Sequence, residues 1–309
     1  MSSTLIPEES TESLQTRAQA SVWSRLLRHP SVIIGGLIIA LILAMVPAAP
    51  LLSSLDPTDI SPRNRNKPPG AMTIHKDDEG NKYEIKAVMG TDKLGRDVYA
   101  RVIYGARVSL VVGLSVATIA IAIGLFIGML AGYFRLIDAI VMRIMDGLMA
   151  IPSILLAIAL VSLSGASLFT VILAIVIPEI PRVVRLVRSI VLTIREEPYV
   201  EAAISVGTPT AKILTRHVLP NTIAPLIVQG TFICGSAILL EAILSFLGVG
   251  VPPDIPTWGN IMAQGRDLFQ VFPHNIFYPG IFLTLTVLAI NMLGDGLRDT
   301  IDPRMSKEI

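Results

Sequence analysis

Three sets of residues in this chain have types and spacings that could do chemistry. Glu179 stands between Pro178 and Pro181 and three residues before Arg182, the spacing at which side chains meet on one helix face. That arrangement fits a charge pair on a broken helix near the cytoplasmic face, serving either as a gate or only to satisfy a kink. Glu241 lies inside an apolar run, where an ionisable group is costly and turns toward protein or water. It could line or brace a pathway, or pair structurally with a partner subunit. Gly90-Thr-Asp92-Lys-Leu-Gly95-Arg96-Asp97 offers two glycines for tight turns and acids for capping. We read it as capping and positioning a surface helix at the outer boundary.

Catalytic chemistry finds little support. No Gly-x-x-x-x-Gly-Lys-Ser/Thr cradle for nucleotide phosphates occurs. His29, His75, His217 and His274 are scattered, with no metalloprotease spacing. Glu196-Glu197 could pass for a paired-carboxylate base, but it follows Arg195 at a helix entrance and reads as a solvated or capping pair. A single cysteine, Cys234, excludes a disulfide within the chain and a multi-cysteine metal cluster. No cofactor or metal is expected here.

The elements that must carry these residues are written in the charge distribution. Of 309 residues only 16% are charged and 52% are hydrophobic, against roughly 25% charged in a soluble domain. Mean hydropathy is +0.66, too apolar for a soluble enzyme of this length. A net charge of +1 gives no reason to invoke nucleic acid.

Asp, Glu, Lys and Arg are absent from Ser31–Leu55, Val108–Phe134, Gly147–Pro178, His217–Leu240 and Leu268–Gly294. A spanning helix needs about 20 apolar residues. Four of these stretches hold one span each. The middle one has a plausible turn at Ser162–Ser167, and arginines on both flanks (Arg135 and Arg143, then Arg182, Arg185 and Arg188) imply an even number of crossings.

Six spans follow, near 31–52, 108–132, 146–163, 167–187, 222–247 and 277–297. Arg17, Arg25 and Arg28 place the N-terminus inside, and Arg298, Arg304 and Lys307 the C-terminus. The expected division is a cytoplasmic tail 1–30, disordered over 1–20, then a first anchor 31–52 and an extracytoplasmic loop 53–107. A five-span core 108–297 with a cytoplasmic loop 191–221 and a cytoplasmic tail 298–309 complete it. Pro47-Ala-Ala-Pro50 after the first span could also mark a cleaved signal; a retained anchor is the expectation.

Within loop 191–221 the local physics is legible. Pro198 suits a first helical position, and Gly207 can take the left-handed conformation that ends a helix. Thr208 and Pro209 then read as the cap and start of a second helix, which Pro220 stops. Ala202 and Ala203 leave room for close approach; Tyr199, Val200, Ile204 and Val206 offer apolar contact, with Glu201 as a polar handle. The pair of short helices is either an ordinary amphipathic connector or a knob that another protein can push.

Glu201-Ala202-Ala203, Gly207 and Leu219-Pro220 resemble the "EAA" loop of binding-protein-dependent ABC importer permeases, and His217 with Val218-Leu219-Pro220-Asn221 resembles the peptide-transporter branch. The Gly90–Asp97 string, Glu241–Gly250 with Pro256-Thr-Trp258-Gly259, and Gly294–Asp299 with Asp302-Pro303-Arg304 are similar to the C-type subunit of the dipeptide/oligopeptide/nickel group.

The resemblance implies an all-α, six-span, type I importer-like permease in a bacterial inner membrane. It would work with a B-type permease subunit, two ABC ATPase subunits that bind ATP and Mg, and a periplasmic or lipid-anchored substrate-binding protein. Two rivals are an ion-coupled secondary transporter and a membrane-embedded hydrolase; the first lacks evident coupling-ion ligands beyond Glu179 and Glu241, the second a nucleophile–base pair.

Overall fold

The computed structural model describes residues 26, 28–76 and 81–301. The expected disordered tail 1–20, Arg17, Arg25, Asp302-Pro303-Arg304 and Lys307 lie outside the described residues. In chain order the elements are α1 (Pro30–Leu52), a hairpin of β1 (Met72–Lys76) and β2 (Lys82–Lys86), and the long α2 (Val98–Tyr133). There follow α3 (Arg135–Ala150), α4 (Ser153–Ser164), α5 (Leu168–Arg195), α6 (Pro198–Ser205) and α7 (Thr210–Ile213). A π turn at Leu214–Val218 leads into α8 (Leu219–Phe246), and α9 (Trp258–Gly265) and α10 (His274–Ile301) complete the fold.

The long helices are apolar nearly all round and leave large side chains such as Leu37, Leu41 and Phe126 exposed. Hydrocarbon, not water, is the solvent that tolerates this, and only closed hydrogen-bonding structures survive in it. Among the described residues four helices are long and apolar enough to cross: α1, α2, the continuous Thr210–Phe246 stretch and α10. A fifth crossing is available if α3 and α4, bent by 89° at Ile151-Pro152, count as one. The expected turn at 162–167 is present: Gly165 has φ +85°, and the Ser167 hydroxyl accepts from the amide of Thr170 to cap α5.

The expected fourth span falls on α5, whose 28 residues reach about 42 Å at 1.5 Å each. Its second half is too charged to pass for a lipid-facing helix, and it is not surrounded by lipid. Val171, Ile175, Val183, Val187 and Val191 are buried against the rest of the chain. Arg188 pairs with Asp138 and Arg185 with Asp146, both on α3. The chain is broken before α5 but not within it: helix runs uninterrupted through Pro178 and Pro181, so the broken helix expected there does not occur.

Gly124, Gly128 and Gly132, one turn apart on α2, make this packing possible. A Cβ at these positions would fall 2.5, 2.7 and 2.6 Å from the Cβ atoms of Val183, Val187 and Val191. The valines of α5 therefore seat directly on the backbone of α2. The repeat serves this contact within the chain, not the permease–permease interface to which such a stripe could equally belong.

The connection between α1 and α2 is folded. β1 and β2 pair antiparallel from Met72↔Lys86 to Lys76↔Lys82. The Asn64 side chain pins the hairpin, donating to Ile74 O (2.8 Å) and accepting from Ile74 N (3.1 Å). The Gly90–Asp97 string ties this loop to the membrane core. Asp92 Oδ1 accepts from the amides of Leu94 (2.8 Å) and Arg96 (3.0 Å), and Oδ2 from Arg96 Nε (2.7 Å). Arg96 also donates to Gln264 on α9. Gly95, at φ +82°, lies so close to Ser61 that a Cβ would sit 1.8 Å from its carbonyl oxygen. Asp97 caps α2 by accepting from Ala100 N at 2.7 Å. The expected surface helix is corrected on this point: the helix it caps is α2, and Asp92, Arg96 and Asp97 are all buried.

Two consequences can be measured in detergent-solubilised protein. Gly124→Ala should destabilise by about 1–3 kcal/mol through overpacking, read as a lowered melting midpoint. Combining it with Val183→Gly, which moves the gap to the facing helix, should recover part of that loss. Asp92→Asn deprives the buried Arg96 guanidinium of its anion and should cost on the order of 3–5 kcal/mol, read as loss of monodisperse protein.

Candidate functional site

The elbow begins where Glu196 closes α5 and Glu197 opens α6, with Pro198 at the first helical position. Gly207 ends α6 at φ +79°. Its amide donates to Ile204 O (2.9 Å) and that of Thr208 to Ala203 O (3.0 Å), the paired bonds of a Schellman stop. Nothing lies within 4 Å of where a Gly207 Cβ would be, so backbone conformation, not space, is what requires glycine there.

Beyond the bend the expected order changes. Pro209 is the cap, helix starts at Thr210, and Pro220 does not stop it. Pro220 instead sits in the first turn of α8, directly after the π turn. The wider i-to-i−5 bonding of that turn, with the Leu219 amide donating to Leu214 O, accommodates the amide that proline lacks. From Thr210 to Phe246 the helix is therefore 37 residues long without a break. Leu219 and Pro220 join the elbow to the span.

Around the bend Glu201, Ala202, Ile204 and Val206 are exposed, Val206 by 82%, and Ala203 is half-buried. Val200 departs from the expected contact face: it is fully buried and anchors the elbow inward. The Tyr199 ring lies 5.8 Å from that of His217 across the bend. Behind the elbow Glu201, Glu196, Arg195, Arg135 and Asp138 line a cavity of about 350 Å³. Arg195 crosses its wall to donate to Tyr133 O at 3.2 Å.

A second cavity, of about 320 Å³, opens between α5, α8 and α10. Arg182 Nη1 donates to both carboxylate oxygens of Glu179, at 3.0 and 3.1 Å. The Glu179 side chain is 4% exposed and that of Arg182 is 50% exposed. Gln229 and Ser236 of α8 and Asn291 of α10 share this cavity. Sequence reasoning paired Glu179 with Arg182 and missed these three. The signal was available: Gln229 and Ser236 are seven residues apart, two turns on one helix face, inside an otherwise apolar run.

Glu241 lies apart from both cavities. It is wholly buried, accepts from Ser245 Oγ at 2.8 Å, and is shielded from any open space. Trp258 is equally buried and donates through Nε1 to Val102 O at 3.1 Å. Among the described residues no three of His, Cys, Asp and Glu are grouped so as to hold a metal ion.

With this geometry in place the chain can be compared with known proteins. Residues 120–307 match the family described as binding-protein-dependent transport system inner membrane component. Residues 20–69 match the N-terminal transmembrane domain of oligopeptide transport permease C. The chain is 52% identical over 280 residues to a probable peptide ABC transporter permease protein of Sinorhizobium fredii, covering 91% of each. It is 40% identical to the dipeptide transport system permease protein of Alkalihalophilus pseudofirmus, covering 92% of this chain and 89% of that one. It is 37% identical to the glutathione transport system permease protein of Pectobacterium atrosepticum, covering 92% and 90%.

The inward-facing MetNI methionine ABC transporter shares the fold, with a TM-score of 0.50 at 17% identity, over 65% of this chain and 96% of that one. A helical, multi-pass, non-catalytic permease is what these likenesses have in common, and the chain belongs to the inner-membrane components of binding-protein-dependent transport systems.

Proposed function

We propose that this chain is the C-type permease subunit of an ATP-driven importer of dipeptides or oligopeptides, and that it forms half of the translocation pathway. The relatives named for peptide, dipeptide and glutathione transport support this substrate class. The other half comes from a B-type permease subunit. Two ABC ATPase subunits hold ATP and Mg, and a periplasmic or lipid-anchored binding protein delivers the peptide. Both chain ends face the cytoplasm, and α5 is the fourth of six spans.

The observation that carries this reading is the unbroken run from the elbow into α8, the helix that lines the Glu179–Arg182 cavity. Glu201, Ala202, Ala203 and Gly207 form the docking surface for an ATPase, and Leu219 and Pro220 transmit its movement without a joint. ATP-driven closure of the ATPases moves the elbow, α8 tilts with it, and the cavity is exposed to one side of the membrane or the other. Each ligand must bind the two states with different free energy for this alternation to run. Glu179 and Arg182 face the pathway. Glu241, buried and bonded to Ser245, braces the outer end of α8.

Gly207→Asp forces a side chain into a conformation that costs about 1–3 kcal/mol outside glycine and adds charge to the docking surface. We expect the variant to insert and copurify with its partners, while peptide uptake falls by about tenfold or more and ATP hydrolysis loses its response to the loaded binding protein. Normal uptake by a fully assembled Gly207→Asp complex would remove the coupling role.

A further inference from the structure

The cavity between α5, α8 and α10 has a polarity that a packing defect does not account for. Arg182 has five N–H donors, and Glu179 engages only Nη1. Among the described residues no acceptor meets Nε or Nη2, the two nitrogens that together form the side-on fork of a guanidinium. Across the cavity the amides of Gln229 and Asn291 likewise make no hydrogen bond among the described residues. Both belong to helices that are otherwise apolar and long enough to cross the membrane. They sit near the helix middles, at the depth where a half-exposed guanidinium cannot face lipid without a large penalty. The open side of the cavity therefore meets water or protein.

A charge pair that merely satisfied the proline-containing stretch of α5 would need neither amide. What the arrangement lacks is one acceptor group for the free fork and a short polar backbone for the facing amides. Because Glu179 already neutralises Arg182, an overall neutral solute carrying its own carboxylate adds no net charge to the cavity. Phe232, Leu239 and Val287 supply apolar wall. The volume is at the small end of the roughly 300–1,000 Å³ of ligand pockets. Asn291 is closely fitted, since a Cβ on Gly235 would approach its Oδ1 to 3.1 Å.

We propose that this cavity is a substrate subsite that takes the free C-terminal carboxylate of a short peptide on the Nε–Nη2 edge of Arg182, with Gln229 and Asn291 reading the adjoining peptide group. The proposal rests on the reading of the chain as a peptide-importing permease. It makes the permease itself, and not only the binding protein, selective for an unblocked C-terminus.

The test uses the assembled complex of this chain with its partner permease and ATPases, without binding protein. Binding of Ala-Ala, Ala-Ala-amide and acetate is measured by equilibrium dialysis. Wild type should bind Ala-Ala about tenfold or more tightly than the amide or acetate, the factor expected for a charge-assisted hydrogen bond. Arg182→Gln should remove that preference, and Arg182→Lys should restore only part of it, because an ammonium lacks the fork.

Asn291→Leu leaves the ion pair intact and should weaken Ala-Ala severalfold, so the result does not hang on Arg182 variants that fail to fold. Equal binding of peptide and amide, acetate binding as tight as Ala-Ala, or no binding by wild type overturns the subsite. Uptake of Ala-Ala into proteoliposomes with the binding protein is measured in parallel. Intact uptake alongside any of those results leaves the import reading standing, whereas absence of all peptide uptake overturns both.

Discussion

A charge at membrane depth must be enclosed by protein or water, and α5 is built around that requirement. Its second half carries Glu179, Arg182, Arg185 and Arg188, and each has an ionic partner. Such a helix can cross only if other helices replace the lipid around it. The bare glycine face of α2 lets the valines of α5 sit on the backbone, and α3 provides the carboxylates for Arg185 and Arg188. The edge of α5 left uncovered is the one that holds Arg182 beside α8 and α10. Architecture and cavity are thus two results of one electrostatic constraint.

The same economy governs the two ends. At one end, Asp92 gathers two amides and the Arg96 guanidinium, so that the folded loop, the start of α2 and α9 are fastened at a single carboxylate. Arg101 is completely buried beside it, with Nη1 3.9 Å from Asp92 Oδ2. At the other end the elbow is anchored by Val200, Ile213 and Val218, and it exposes Ala202, Ile204 and Val206 beside the charged Glu201, Lys212 and Arg216. A rigid clasp at one end and an exposed, helix-continuous lever at the other suit the driven permease proposed above.

Much of this was legible in the sequence because hydrocarbon imposes simple rules. The charge-free stretches marked α1, α2, α8 and α10, the Gly165 and Gly207 bends were readable from glycine and proline, and Glu179–Arg182 from its spacing. The misreadings share a cause. Pro178, Pro181 and Pro220 were read as breaks by local rules, whereas neighbouring helices and a π turn accommodate all three. The hairpin was hidden because Met72–Lys76 and Lys82–Lys86 alternate weakly among many charges. Asn291 escaped notice because a lone amide in an apolar helix has meaning only once the facing helices are known, whereas Gln229 and Ser236 share a helix face that the sequence already displays.

The claim that α8 carries motion from the elbow to an aqueous cavity can be tested at Ser236. In the assembled complex, with native Cys234 replaced by alanine, Ser236→Cys is treated with a membrane-impermeant thiol reagent, with and without ATP and vanadate. The labelling rate should change severalfold between the two nucleotide states. An identical rate in both states, or no labelling in either, would contradict the claim.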